Sequence, residues 1–122
     1  MIKGIGVDLC NIPRISVRMK SKRFLEKIFV ETEIAFAFSK ACPEQHLAGF
    51  YAAREALSKA LTLGLWRMGL KNAWVVHNEE GDPRFCFNDK LAKILEDRGI
   101  SKVWLSISHE NNMAIAFVIL EA

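Results

Sequence analysis

No apolar run in this sequence comes near the roughly 20 residues that a membrane-spanning helix requires, although 51% of its 122 residues are hydrophobic. A helical bilayer span is excluded. The opening MIKGIGVDL has neither the apolar stretch nor the small-residue cleavage site of a secretory leader, so a cytoplasmic protein is expected. Cysteine is scarce and scattered: Cys10, Cys42 and Cys86 are odd in number and show no CxxC spacing. That pattern argues against a disulfide framework or a thiolate zinc site and leaves reduced packing residues. Internal repeats, low-complexity tracts and long linkers are also missing, and a chain of this length fits one domain spanning residues 1–122.

Net charge is only +3, but its distribution is uneven. Arg14, Arg18, Lys20, Lys22, Arg23 and Lys27 fall in one segment with a single acid, Glu26. Such a basic surface predicts an acidic partner, which on charge alone is a nucleic acid, an anionic membrane or an acidic protein; a solvated helix face is the plainer reading.

Along the chain, residues 2–9 read as a strand, and Asn11 with Pro13 marks a helix start. "RFLEKIF" and "ETEIAFAFSK" read as two short helical pieces, and "CPE" separates them from a longer helix, from about Glu44 to Leu63, stopped near Gly64. "AWVVHN" looks like a strand, "EEGDPRF" like a turn into another, and residues 89–98 like a helix capped by Asn88 or Asp89 and ended at Gly99. The last stretch reads as two apolar strands joined at "HENN". The order predicts an α+β domain: a largely antiparallel sheet packed by a long central helix and shorter helices.

"GIGVDL" is the first stretch that points to chemistry. Strand alternation puts Ile2, Gly4, Gly6 and Asp8 on one face and Lys3, Ile5, Val7 and Leu9 on the other. Paired glycines leading to a carboxylate suggest close approach of a ligand or another backbone; a capping aspartate at a strand-to-helix turn is the alternative. On a helical wheel, Ala53, Ala56, Leu57, Ala60 and Leu61 form an apolar arc, while Arg54, Glu55, Ser58, Lys59 and Thr62 gather opposite, beside Ala48 and Ala52. Glu55 and Lys59 stand one turn apart, the spacing of a weak surface ion pair. A carboxylate, two cations and a hydroxyl on one face could share a metal and a polyphosphate. Asp8 and Glu55 together would offer the oxygen-only ligands that Mg²⁺ prefers. His109, in "SISHE", is either an anion contact or, taken singly, a turn residue at the hairpin tip; His46 and His77 lack metal-ligand spacing and read as structural.

Three segments together resemble one family. "GIGVDLCNIPRI", "LAGFYAAREALSKAL" and "SISH" are similar to the first, central and last motifs of the holo-acyl-carrier-protein synthases, the small class of 4′-phosphopantetheinyl transferases, and "GDP" at 81–83 resembles their G-x-P turn. The resemblance covers nearly the whole chain. It implies the 4′-phosphopantetheinyl transferase fold and a Mg²⁺-dependent transfer of the phosphopantetheine arm of coenzyme A to a serine of apo-acyl carrier protein, in fatty acid biosynthesis. Mn²⁺ is a possible substitute metal. By the same resemblance Asp8 and Glu55 are metal ligands, Glu55 or a water on the metal takes the serine proton, and Lys59 contacts phosphate oxygens, with Ser58 and Gly64 near the coenzyme. His109 would approach its 3′-phosphate. A homotrimer with the coenzyme between neighbouring subunits is implied as well.

The basic segment then becomes the docking surface for the acidic carrier, with Arg14, Lys20, Arg23, Phe24 and Lys27 as its contacts. Two departures stand out: Phe50 and Tyr51 replace the R-F of many members, leaving Arg54 to compensate on the phosphate side, and Thr62, Leu63 and Gly64 replace a G-T-G loop. Two rival readings are a nucleic-acid-binding module that uses the Arg14 to Lys27 surface and a catalytically silent trimer of the same fold.

Overall fold

A computed structural model describes all residues, Met1–Ala122. The chain begins with strand β1 (Ile2–Asn11), followed by three short helices, α1 (Ile12–Arg18), α2 (Lys22–Ile28) and α3 (Glu31–Phe38), and the long helix α4 (Pro43–Ala60). A single turn, α5 (Leu65–Met68), precedes strands β2 (Ala73–His77) and β3 (Pro83–Phe87), helix α6 (Asp89–Asp97), and the closing hairpin β4 (Lys102–Glu110) and β5 (Met113–Glu121). The α+β class and antiparallel pairing follow expectation, but the strands divide into two sheets, β1-β5-β4 and β2-β3. The small turn α5 has no periodicity that four residues could reveal, and sequence reading missed it.

The short helices start where polar side chains satisfy free backbone N–H groups. Asn11 Oδ1 accepts from Arg14 N at 2.9 Å, Ser21 Oγ from Phe24 N at 3.2 Å, and Asn88 Oδ1 from Leu91 N at 3.1 Å. Asn11 thus ends β1 and begins α1, so the acid at position 8 lies within the strand and caps nothing.

Helix α4 lies on the inner face of the three-stranded sheet. Ala52, Ala53, Ala56 and Ala60 are fully or almost fully buried along it, facing a layer that includes Ala114, Ala116, Val118 and Leu120 of β5. Small side chains on both partners let the helix backbone come close to the strands. Gly4 and Gly6 complete that fit: a Cβ at Gly4 would strike the carbonyl of Ala60, and one at Gly6 the carbonyl of Ala56. The space these glycines leave is therefore filled by α4, which corrects the expectation of a ligand floor there. The register also slips between Ile2 and Gly4, so Ile2 pairs with Glu121 and leaves the glycine face.

The expected half-polar wheel of α4 is corrected by burial on nearly every side. Leu47 to Phe50, Ala52 to Arg54, Ala56 to Ser58 and Ala60 are all buried, and in the second half of the helix only Tyr51, Glu55 and Lys59 reach the surface. These three recur every fourth residue and form one stripe. The helix stops earlier than expected, with a Schellman motif: Thr62 N–H donates to Lys59 O and Leu63 N–H to Ser58 O, each at 3.0 Å. Thr62, not Gly64, is the left-handed residue, with φ 53°.

At the hairpin, β4 extends through Glu110, and only Asn111 and Asn112 form the turn. His109 is thus a strand residue paired with Ala114, not a tip residue. All three cysteines are free; Cys10 is buried as expected, Cys86 half-buried, and Cys42 exposed at the start of α4. No helix is long and apolar enough to cross a membrane.

Candidate active site

The strand β1 and the helix α4 run antiparallel where they touch, Gly4 lying against Ala60 and Gly6 against Ala56. Two residues further along β1, strand alternation puts Asp8 on the same face, and on α4 Glu55 stands one turn before Lys59. The Lys59 Nζ donates to Asp8 Oδ1 at 2.9 Å and to Val7 O at 3.2 Å. The hydrogen bond from Asp8 and its charge, with a further contribution from Glu55, push the Lys59 ammonium above its ordinary value. The surface pair expected between Glu55 and Lys59 is thereby corrected, because Lys59 reaches across to the strand.

Two neighbours report the same convergence. Cys10 is pushed up chiefly by burial, and the charges of Arg14, Asp8 and Glu55 all reach it. Tyr51, one turn before Glu55, is pushed up first by burial and then by the Glu55 carboxylate, which leaves its phenol protonated beside the acid. Asp8 and Lys59 thus meet where β1 lies on α4, and Glu55 and Tyr51 continue the surface stripe of Lys59 along the helix beside this patch.

As a metal site the patch has a defined character. Its donors are two carboxylates, and no group of three or more His, Cys, Asp and Glu side chains gathers anywhere in the protein. That excludes an all-protein cage and suits a hard cation that keeps several waters and completes its shell with phosphate oxygens, as Mg²⁺ does. The donor set fits the expected ion.

Beside the patch opens a cleft of about 490 Å³, reaching from Glu55 and Tyr51 past α1 and α2 to α5. Its rim carries Arg14, Arg18 and Lys27, and its apolar lining includes Ile15, Phe24 and Ile28. Arg14, Phe24 and Lys27 from the expected docking set line it; Lys20 and Arg23 are exposed outside it. The sequence marks Arg18 only as part of the basic segment and Tyr51 only as a departure from the family motif, though Tyr51 shares the stripe of Glu55 and Lys59; both line the cleft.

Two expected coenzyme contacts are placed elsewhere. Arg54 is fully buried, as is its partner Glu33, and Nη1 donates to Glu33 Oε2 at 2.8 Å while Nε donates to Leu70 O at 2.6 Å. Val30 N and Val75 N donate to the same carboxylate at 3.1 and 3.0 Å, and the guanidinium lies over Phe29, 5.3 Å from the ring centroid. Arg54 therefore ties α4 to α3, to β2 and to the loop after α5, and has no face toward the cleft. Ser58 is buried, and its hydroxyl donates to Glu55 O at 2.8 Å, within its own helix. Gly64 is exposed at the start of α5, and His109 is exposed on β4. Phe50 packs inward against Phe36 and His77, at centroid distances of 6.0 and 5.8 Å.

Residues 4–118 match the 4′-phosphopantetheinyl transferase superfamily. The chain is 38% identical over 122 residues to a holo-[acyl-carrier-protein] synthase of Clostridium acetobutylicum, covering 99% of this chain and 98% of that one. Among solved structures, the holo-[acyl-carrier-protein] synthase of Neisseria meningitidis superposes with a TM-score of 0.90 at 34% identity, over 100% of both chains. The synthase of Bacillus anthracis, in complex with CoA (3′,5′-ADP), gives a TM-score of 0.83 at 30% identity, over 100% of this chain and 98% of that one.

Proposed function

The chain belongs to the 4′-phosphopantetheinyl transferase superfamily, and on that footing we propose that it transfers 4′-phosphopantetheine from coenzyme A to a serine of apo-acyl carrier protein. The products are holo-acyl carrier protein, for fatty acid biosynthesis, and 3′,5′-ADP. The observation that carries this reading is the contact of Lys59 with Asp8 where β1 lies on α4, one helical turn from Glu55 at the edge of a cationic cleft.

In the reaction the serine Oγ forms a bond to the β-phosphorus of the coenzyme diphosphate, the phosphoanhydride bond breaks, and 3′,5′-ADP carries away the electron pair. Glu55 and Asp8 are the residues that would hold Mg²⁺, with Mn²⁺ as a substitute. When bound, the ion offsets charge building on the leaving group. Lys59, already held over Asp8 and Val7 O, turns its third N–H to a phosphate oxygen. Glu55 accepts the serine proton, and the neutral phenol of Tyr51 donates toward that carboxylate. Gly64 and His109 flank the coenzyme in this reading, the latter toward the 3′-phosphate. Arg54 and Ser58 hold the helix that carries Glu55.

An exposed apolar stripe supports a homotrimer. Ile5, Val7 and Leu9 of β1 lie in register with Ile119, Phe117 and Ile115 of β5, all on the sheet face that α4 leaves bare, with Trp104 of β4 beside them. Such a surface is covered in a stable assembly, and active sites between subunits would let a small chain enclose a large coenzyme. Free thiols and the absence of a spanning helix accord with a cytoplasmic enzyme.

The test is to incubate the protein with apo-acyl carrier protein, coenzyme A and Mg²⁺ and to weigh the carrier. A gain of one phosphopantetheine is expected; no gain with any divalent metal leaves a catalytically silent member of the fold. The nucleic-acid alternative has no such support, since the relatives named above are all carrier-protein synthases.

A further inference from the structure

Both walls of the cleft beside Glu55 are aromatic rings with a cation laid over them. The Arg18 guanidinium stands 5.9 Å from the centroid of Phe24, and the Lys27 ammonium 5.1 Å from that of Trp66. Ile15, Ile28, Leu65 and Leu70 form an apolar lining between these walls. Trp66 is 75% exposed on α5, while Met68 of the same turn is fully buried and anchors it. The indole is therefore presented to solvent by a fixed element, with a positive charge against its face.

We propose that Trp66 is an apolar anchor for the carrier protein: an acidic amphipathic helix lays carboxylates along Arg14, Arg18 and Lys27 and seats an apolar side chain between Trp66 and Phe24. The inference rests on the transferase reading above and adds to it a residue outside the basic segment. Charge complementarity selects the occupant. Three cations at the rim favour a polyanionic partner, and the apolar lining favours one that also offers a hydrophobic side chain, as an acidic helix does. Coenzyme A fits less well here, because its polar diphosphate finds no use for an apolar lining that an amphipathic helix would fill. Tryptophan at the centre of such a seat commonly dominates binding, whereas rim charges chiefly speed encounter.

The experiment uses the full-length protein and steady-state transfer to apo-acyl carrier protein. Trp66→Ala is expected to raise KM for the carrier about tenfold or more, with KM for coenzyme A unaltered, and the effect persists in high salt. Arg14→Glu also raises KM for the carrier, but its effect shrinks as salt screens the charge. Trp66→Phe retains an aromatic anchor and recovers most of the loss. Binding of holo-carrier without turnover should shift the tryptophan emission of the parent protein to the blue, and Trp66→Phe should remove that shift. A carrier KM unchanged in Trp66→Ala overturns the anchor while a rise in Arg14→Glu leaves the transferase reading standing. Equal rises for both substrates assign the cleft to the coenzyme arm and overturn it too. Absence of transfer by the unaltered protein overturns both.

Discussion

Lys59 of α4 and Asp8 of β1 form an ion pair, Nζ to Oδ1 at 2.9 Å, that fastens the end of the long helix to the strand bearing one of the two acids of the site. Lys59 is well exposed and Asp8 partly so, which places the contact at the mouth of the site rather than in the core. An exposed pair of this kind adds little to folding. Its consequence is chemical: the acid is held in place before any phosphate arrives.

Asp8→Ala and Glu55→Ala are accordingly expected to reduce transfer by on the order of a thousandfold or more while the thermal midpoint stays close to that of the parent. Chelation by EDTA should silence the parent enzyme and added Mg²⁺ restore it. Near-normal turnover in both variants, measured by carrier mass, would remove the metal assignment.

The Glu33–Arg54 pair predicts the opposite balance. Both side chains are fully buried, and the carboxylate also accepts two backbone N–H groups. Removing one partner strands a charge in the core, so Glu33→Ala or Arg54→Ala should each lower stability by about 3–5 kcal/mol. Urea titration checks this, and Glu33→Leu with Arg54→Met should lose less than the two single changes combined.

Thr62 is a β-branched residue in the left-handed region, φ 53°, at the position that closes α4. Glycine relieves that strain at a smaller entropic penalty, so Thr62→Gly is expected to stabilise the fold by about 1 kcal/mol. A lowered melting temperature would contradict the assignment of strain.

His46 and His77 make stability depend on pH. His77 stacks on Phe36 at 4.2 Å, and His46 meets the same ring edge-on at 5.3 Å. Burial holds both imidazoles below the ordinary value of 6.5, with the charge of Lys40 acting in the same direction. Below pH 6.5 the unfolded chain binds protons that the folded one resists. Stability is thus fully present above that value and falls as pH drops through the lowered folded values. Thermal melts from about pH 7.5 down to about pH 5, a span around the histidine value, should show the decline, and His77→Phe should flatten it.

The apolar stripe on the open sheet face is expected to hold three copies together. Phe117→Glu places a charge in its middle, opposite Val7, and light scattering should then report a monomer mass. A parent protein that is itself monomeric would refute the homotrimer.

Much of this molecule is legible residue by residue. Asn11, Ser21 and Asn88 announce helix starts because a cap needs only the next three residues, and the apolar strands at the end of the chain read directly as a hairpin. Asp8 stands out as a charge in an apolar strand, while Glu55 and Lys59 read as part of a polar helix sector until the family motif singles them out. Arg54 was equally visible and misread. Its partner lies 21 residues earlier, in a short helix whose own pattern gives no hint that Glu33 is buried. The bare sheet face and the buried wheel of α4 were hidden for the same reason, since periodicity records which residues share a side and not what covers that side.

By itself the sequence determined the elements other than the single turn α5, their order and the kinship with the transferases, and it marked Asp8 and Glu55 as candidates, all of which depend on local spacing or on short motifs. Tertiary structure alone decided that the glycines of β1 admit a helix, that Arg54 is a core ion rather than a phosphate contact, and that α5 brings Trp66 to the cleft. Each of those outcomes depends on groups distant in the chain meeting in space, and distance along a chain carries no direction until the chain has folded.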